Sequence, residues 1–117
     1  MSEETTRVLN HHLSSFAKGD VVEIMKDYTD QSILFTPDGM LEGLEKIKNL
    51  FVDFIPNYLP PGSNVKMIRQ DVKENIAYMV WSGESENYRF PIGTDTFVIK
   101  DGKIISQTFA AKIDPKN

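Results

Sequence analysis

Apolar residues recur every three to four positions through the first half of the chain, which is the spacing of helices with one buried face. The first apolar stripe includes a histidine and consists of Leu9, His12, Leu13 and Phe16. Gly19 is expected to end this helix, because glycine adopts the left-handed conformation there at little cost, and the Asp20 and Glu23 spacing predicts a capped second helix. The apolar stripe of that second helix consists of Val21, Ile24, Met25 and Tyr28.

A short β-prone run follows at Ile33–Thr36 and ends in a Pro-Asp-Gly turn. A third helix is predicted after Gly43, with Pro56 limiting it, because proline lacks the backbone N–H that a helix interior uses. The wide apolar face of this helix consists of Leu44, Ile47, Leu50, Phe51, Phe54 and Ile55. The first half of the chain is therefore predicted to be mostly helical.

The second half alternates apolar and polar residues with the period of β-strands. After a Pro-Pro-Gly-Ser breaker segment, strands are predicted over residues 65–72, 76–82, 88–100 and 103–113. Their short connections predict antiparallel neighbours. The Asp101-Gly102 pair suits the type I′ turn of a hairpin, since both central residues of that turn need positive φ.

Alternation also divides the side chains of the last two strands between two faces. Gly93, Asp95, Phe97 and Ile99 share one face of strand 88–100. On the partner strand the odd-numbered residues, among them Ile105 and Gln107, are the better candidates for the inside. This inner face would then carry two polar side chains, Asp95 and Gln107, among apolar ones.

The strand at residues 76–82 is apolar on both faces, because Tyr78 and Val80 alternate with Met79 and Trp81. The sequence does not show which face of this strand points toward the core. An antiparallel strand with two apolar faces favours a sheet that is covered on both sides. We predict that helices cover one face and that a second subunit covers the other, which gives a homodimer through the outer face of the sheet.

Composition narrows the classes of function. The 117 residues suit a single domain, 1–117, and contents of 40% apolar and 26% charged residues are typical of globular proteins. The sequence has no cysteine, which excludes disulfides and thiolate sites, and its net charge of −4 argues against nucleic-acid binding. No apolar run reaches the ~18 residues of a membrane-spanning helix, and no signal peptide begins the sequence, so a cytoplasmic location without membrane attachment is expected.

The order of elements resembles the SnoaL-like branch of the nuclear transport factor 2-like (NTF2-like) superfamily. The resemblance rests on FAKGDVVEIMKDYTD, ILFTPDG, GLEKIKNLF and GTDTFVIKDGKIISQTF, and it extends over nearly the whole chain. It implies an α+β fold in which three N-terminal helices pack on a curved antiparallel β-sheet to form a cone with an internal pocket. Members of the superfamily include ketosteroid isomerases, polyketide cyclases, dehydratases, epoxide hydrolases and non-catalytic binding modules, and many are homodimers.

The ketosteroid isomerase pattern carries over only in part. Thr36 occupies the position of the general-base aspartate of those enzymes, and a threonine hydroxyl is no base near neutral pH without an activating partner. By the same resemblance, His12 stands where the isomerases hold a hydrogen-bonding tyrosine, and Asp95 stands where they hold a protonated aspartate. The resemblance therefore implies two hydrogen-bonding positions without the usual base.

Asp95 and His12 are the candidate catalytic residues, as an acid–base pair facing a small hydrophobic ligand. A carboxylate on an apolar face costs several kcal/mol unless it is bonded or protonated. Asp95 is thus either a structural carboxylate bonded to threonine hydroxyls, Arg69 or Arg89, or a group whose raised pKa makes it a proton donor. The ligand-binding candidates are Thr36, Tyr78, Trp81, Phe97, Gln107 and Phe109.

Alternatively, His12 is a structural core histidine bonded to one acceptor, and His11 is expected at the helix edge or in solvent. No metal-ligand spacing or phosphate-binding loop is present, so neither metal nor cofactor is expected. Two functions remain open. One is an isomerase-like or cyclase-like enzyme acting on a small hydrophobic carbonyl, epoxide or polyketide-like compound. The other is a non-catalytic dimeric binding or scaffold module, which the missing base favours; a transport role would need a partner surface that no motif indicates.

Overall fold

The computed structural model describes residues 2–116 of the chain. Three helices and seven strands follow one another along these residues. In chain order they are α1 (Ser2–Ala17), α2 (Val21–Met25), β1 (Ile33–Thr36), β2 (Gly39–Glu42), α3 (Leu44–Tyr58), β3 (Asn64–Lys73), β4 (Ile76–Glu84), β5 (Tyr88–Lys100), β6 (Lys103–Ala111) and β7 (Asp114–Pro115). The predicted helices and long strands are confirmed, whereas the short strands β2 and β7 were not predicted.

Local sequence signals explain where the helices begin and end. Gly19 follows α1 with φ 67°, and the Asp20 side chain caps α2 by accepting a hydrogen bond from the Glu23 N–H at 3.1 Å. The expectation that Pro56 limits α3 is wrong, because the helix runs on to Tyr58. Only one backbone hydrogen bond is lost at Pro56, and the helix ends two residues later, so the break is tolerated.

The strands form one sheet in the order β2-β1-β6-β5-β4-β3, with β7 pairing beside the start of β5. The prediction of an antiparallel sheet is corrected at one place: β1 runs parallel to β6, so the sheet is mixed. Register shifts interrupt the β3–β4, β4–β5 and β5–β6 ladders. Such bulges bend and twist strands, and the sheet is accordingly curved and does not close on itself. Asp101 and Gly102 have φ of 52° and 76°, as the predicted hairpin turn requires.

A bulge in β6 makes the predicted inward facing of Ile105 wrong. Val98 pairs with Ser106, whereas its neighbour Ile99 pairs with Ile104, so Ile105 is an extra residue without a partner on β5. Ile104 is consequently fully buried, and Ile105, predicted to face inward, is only half-buried. Beyond the bulge the predicted alternation holds, and Gln107 faces the interior.

The helices pack on the inner face of the sheet and create the core there. On β4 this inner face holds Ala77, Met79 and Trp81, which resolves the facing that the sequence left open. Ile76 and Tyr78 lie on the outer face with 46% and 37% of their surface exposed, so nothing within the described residues covers that face. No helix within residues 2–116 has the length and apolar character needed to cross a membrane.

Candidate functional site

Helices α1 and α3 and the inner face of the sheet enclose a cavity of about 90 Å³. Its polar lining side chains are His12, Asp95 and Gln107, and the indole of Trp81 lies beside them. The remaining walls are aliphatic or aromatic and include Leu13, Phe16, Leu34, Leu50, Phe51, Phe54, Met79 and Phe109. The volume is of the same order as an engineered protein cavity of about 150 Å³ that binds benzene. The cavity therefore has the size and chemistry for a small, mainly apolar molecule.

Asp95 lies at the centre of a buried chain of hydrogen bonds. Its Oδ1 accepts a hydrogen bond from Trp81 Nε1 at 2.9 Å, and its Oδ2 accepts one from Gln107 Nε2, also at 2.9 Å. The Tyr28 hydroxyl donates in turn to Gln107 Oε1. Three distant parts of the chain thus hold one carboxylate in place.

The partners that the sequence suggested for a structural Asp95 are wrong. Arg69 pairs with Asp71 at 2.7 Å, and Arg89 lies 3.7 Å from Glu84. Both arginine side chains are more than half exposed, whereas Asp95 points inward with 5% of its surface accessible. An indole and an amide replace them because those two side chains occupy the inner positions on the neighbouring strands.

Burial raises the pKa of Asp95 to about 6, while the hydrogen bonds from Trp81 and Gln107 act in the opposite direction. At pH 7 the group is therefore mainly a carboxylate. Because an indole N–H can only donate, and a carboxylate oxygen has two lone pairs, each oxygen of Asp95 keeps one lone pair available. The site consequently presents a hydrogen-bond acceptor that bears negative charge.

His12 also lines the cavity, with 3% of its surface exposed. Its Nδ1 has no hydrogen-bond partner among the described residues. At this nitrogen, residues 2–116 therefore do not supply the core acceptor that the structural alternative requires. Burial lowers the pKa of His12 to about 4, and the charge of His11 adds to this, so the ring is neutral at pH 7. An unpaired buried polar atom costs about 1–3 kcal/mol, and this ring has hydrogen-bonding capacity left for a molecule in the cavity.

The other predicted ligand-binding residues divide between the cavity and its surroundings. Trp81, Gln107 and Phe109 line the cavity. Phe97 is fully buried behind it, where its ring lies 5.4 Å from that of His12. Phe97 is therefore a packing partner of the cavity wall.

Thr36 and Tyr78 lie away from the cavity, and their assignment to its wall is wrong. The Thr36 hydroxyl donates to the Gly39 carbonyl at 2.9 Å and accepts from the Asp38 N–H at 3.1 Å, so it stabilises the turn between β1 and β2. Tyr78 has the opposite facing to Met79 and Trp81 and lies on the outer face of the sheet. Neither residue is among the side chains that line the cavity.

Two polar features of the site were missed by the sequence interpretation. The apolar stripe assigns Tyr28 to helix packing, although a buried Gln107 requires a polar partner. His11, expected at the helix edge or in solvent, has Nδ1 2.8 Å from an Asp27 oxygen and Nε2 2.9 Å from a Glu23 oxygen. The four-residue spacing of Glu23 and Asp27, which places two carboxylates on one side of a helical segment, was the available signal.

Within residues 2–116, no group of three or more histidine, aspartate or glutamate side chains is arranged to hold a metal ion. In the cavity, Asp95 accepts hydrogen bonds and protons, and neutral His12 can donate or accept one hydrogen bond at each nitrogen according to its tautomer.

Comparison with solved structures shows the fold. An NTF2-like protein from Mesorhizobium loti matches with a TM-score of 0.78 at 17% identity, over 95% of this chain and 93% of that one. A SnoaL-like protein from Burkholderia thailandensis matches with a TM-score of 0.72 at 12% identity, over 96% and 97% of the two chains. An LEH-like epoxide hydrolase of M. tuberculosis matches with a TM-score of 0.74 at 14% identity, over 95% and 84%.

No protein-family model matches the chain, and no curated protein matches it in sequence. The structural matches nevertheless agree with the predicted fold, and the chain shares the α+β cone fold of these NTF2-like and SnoaL-like proteins. At these identities the similarity concerns the backbone fold, and function has to be argued from the site.

Proposed function

We propose that the protein binds a small, mainly apolar organic molecule that carries a hydrogen-bond-donating group, such as a hydroxyl, in the cavity between the helices and the sheet. The proposal rests on Asp95, a buried acceptor that bears negative charge in a mainly apolar cavity. Its two oxygens are oriented by Trp81 and Gln107, and each retains a lone pair.

The arrangement favours a neutral donor group over an anion. A ligand carboxylate would place a second negative charge beside Asp95 in surroundings of low dielectric, where like charges repel by several kcal/mol. A hydroxyl would instead donate to Asp95, and its oxygen would remain free to accept a hydrogen bond from His12. Apolar walls such as Phe54 and Met79 would bury the rest of the molecule.

Benzyl alcohol and benzoate test this preference, because they share a phenyl ring and differ in the charge and donor capacity of the head group. We expect benzyl alcohol to bind at pH 8 at least about 100-fold more tightly than benzoate, which corresponds to about 2.7 kcal/mol. Trp81 is the single tryptophan of the sequence and lines the cavity, so its fluorescence reports binding directly.

Saturable binding of benzyl alcohol with little response to benzoate supports the proposal. Equal affinities would show that the charge of Asp95 does not act on the ligand. No saturable binding of either compound would contradict a ligand-binding function of the cavity for molecules of this class.

A second candidate function is acid–base catalysis on the same ligand class, such as a small hydrophobic epoxide. It is favoured by the way in which burial moves the pKa values of the two cavity groups apart, that of Asp95 up to about 6 and that of His12 down to about 4. At neutral pH, Asp95 would accept a proton from a water whose oxygen bonds to one epoxide carbon while the ring C–O bond at that carbon breaks. The neutral His12 ring would donate a hydrogen bond to the departing oxygen, which then takes up the proton held by Asp95 to complete the diol. Among the similar structures, one is an LEH-like epoxide hydrolase.

Hydrolysis of styrene oxide to its diol, followed by chromatography against a buffer control, tests catalysis. We expect Asp95→Asn to lower the rate by about 100-fold or more, because general-base catalysis contributes at least that much. The wild-type rate should fall as the pH drops through about 6, where Asp95 takes up a proton. A wild-type rate equal to that in buffer would leave binding alone as the function.

We also propose that the protein forms a homodimer through the outer face of the sheet. Phe35, Ile76 and Tyr78 expose 44%, 46% and 37% of their surface there, and a second copy would cover these side chains. Sedimentation at micromolar concentration should give a dimer, and Tyr78→Lys should shift it toward monomer, because the substitution places a charge in the apolar contact. A monomeric wild-type protein would contradict this assembly.

A further inference from the structure

His11 connects α1 to the segment that follows α2. Its Nδ1 lies 2.9 and 2.8 Å from the two carboxylate oxygens of Asp27, and its Nε2 lies 2.9 Å from Glu23 Oε1. Both ring nitrogens therefore face a carboxylate. A neutral imidazole has only one N–H. At its other nitrogen, the ring lone pair would face a carboxylate oxygen, which is also an acceptor, and the contact would be repulsive. The geometry fits the imidazolium, which donates at both nitrogens.

This cluster lies next to the cavity in the chain and in space. Asp27 directly precedes Tyr28, whose hydroxyl donates to Gln107, and Gln107 donates to Asp95. The Asp27 carbonyl also accepts a hydrogen bond from the Ile104 N–H at 2.7 Å, on the strand that carries Gln107. The position of Asp27 consequently affects two connections to the polar end of the cavity.

We propose that His11 is a positioning residue for the cavity: as an imidazolium between Glu23 and Asp27 it holds the segment that carries Tyr28 against α1, and its protonation thereby regulates ligand affinity. The inference rests on the ligand-binding function proposed above. Loss of the proton would replace one hydrogen bond by a repulsive contact, loosen Asp27 and Tyr28, and weaken the hydrogen bond that Gln107 gives to Asp95.

The charged groups around His11 determine which group of the cluster loses a proton as the pH rises. Glu23 also pairs with Lys26 at 2.6 Å, and Lys103 lies near enough to act on the charge of Asp27. The two carboxylates raise the pKa of His11 above its usual 6.5, and burial raises that of Tyr28 well above 10. The pKa of Lys26 is raised by Glu23, and the buried His12 is already neutral. Burial also raises the pKa of Asp27, whereas its contact with His11 acts in the opposite direction. His11 is thus the member of this cluster that loses its proton as the pH rises through its raised pKa.

The test measures the dissociation constant of benzyl alcohol, which does not ionise in this range, between pH 7 and 9, where Asp95 is mainly a carboxylate. We expect affinity to fall roughly fivefold as the pH rises, at the lower end of couplings between sites. His11→Gln should bind with the weaker affinity at every pH and show no such dependence. In the matched control, Lys26→Gln, the contacts of His11 remain and the pH dependence should persist.

A second measurement on the unliganded protein separates failure of this inference from failure of the proposed function. The side-chain amide signals of Gln107 in NMR spectra should shift with the same midpoint as the imidazole signals of His11, and this shift should be absent in His11→Gln. Gln107 signals that ignore the titration of His11 would overturn the inference even if benzyl alcohol binds. If benzyl alcohol fails to bind while the Gln107 signals follow His11, the positioning role stands and the ligand-binding proposal fails.

Discussion

Gly93→Ala is expected to lower the free energy of unfolding by about 2–6 kcal/mol and to displace the Trp81 indole. A Cβ at position 93 would lie 2.3 Å from Trp81 Cε2 and 2.4 Å from Cζ2, far inside the contact distance of two carbon atoms. The indole would have to move, and overpacking of this kind costs about 1–3 kcal/mol. Its N–H would also lose Asp95, and an unpaired buried donor adds about 1–3 kcal/mol. Urea unfolding and the wavelength of Trp81 fluorescence measure both effects.

Gly83→Ala is the matched control, because it adds the same methyl group beside the same indole. Its Cβ would lie 3.3 Å from Trp81 Cζ3 and 3.6 Å from a methyl group of Leu59, so a shift of a few tenths of an ångström suffices. We expect this variant to lose less than about 1 kcal/mol, within the range of most single substitutions. Equal losses in the two variants would mean that the indole does not lie over Gly93.

The second large effect concerns Asp95→Asn, which should reduce the preference for benzyl alcohol over benzoate from about 100-fold to less than about 10-fold. The substitution removes the negative charge that repels benzoate. The fold should persist, because the asparagine oxygen can accept from Trp81. Its NH₂ group can donate to Gln107 once that amide turns over, and the Tyr28 hydroxyl can accept as well as donate. Calorimetric titration at pH 8 measures both affinities.

Asp95→Leu separates the loss of charge from the loss of hydrogen bonds. Leucine would leave the donors of Trp81 and Gln107 buried without an acceptor, so we expect the free energy of unfolding to fall by about 2–5 kcal/mol. An unchanged ligand preference in a folded Asp95→Asn protein would show that Asp95 does not face the ligand.

The pH dependence of this preference follows from the same carboxyl group. Because burial raises the pKa of Asp95 to about 6, the group becomes neutral as the pH falls below that value, and benzoate should then bind more tightly to the wild type. The folded carboxyl also binds protons more readily than the unfolded one, so Asp95 lowers stability at neutral pH, and this loss diminishes as the pH falls from about 6 toward 4. Asp95→Asn should show neither effect.

Much of the fold follows from periodic patterns in the sequence. Stripes of apolar residues identify the helices, and period-two alternation assigns Asp95 and Gln107 to the interior. The prediction of which side chain points inward is wrong for Ile104 and Ile105, because one extra residue in a bulge reverses the alternation there. The alternation of apolar and polar residues cannot show where the pairing of two strands shifts. The short strand β2 was missed because its Gly-Met-Leu-Glu sequence has little alternation.

The polar network of the site depended on contacts between residues far apart in the chain. Tyr28 and Gln107 are 79 residues apart, and only the packing of the segment after α2 against β6 brings them together. The ion pairs of His11 likewise require α2 to lie beside α1. Asp95 stood out in the sequence because a carboxylate on an apolar face demands partners, but the identity of those partners depended on which neighbouring side chains share its face.

A crystal structure with 4-bromobenzyl alcohol shows whether the ligand binds beside Asp95, because the anomalous signal of bromine locates the molecule independently of its electron density. We expect the bromine among the apolar walls near Phe54 and Phe109, and the hydroxyl within hydrogen-bond distance of the Asp95 carboxylate. Bromine found only outside the cavity, or a bound molecule whose hydroxyl points away from Asp95 and His12, would contradict the proposal that this carboxylate selects the ligand.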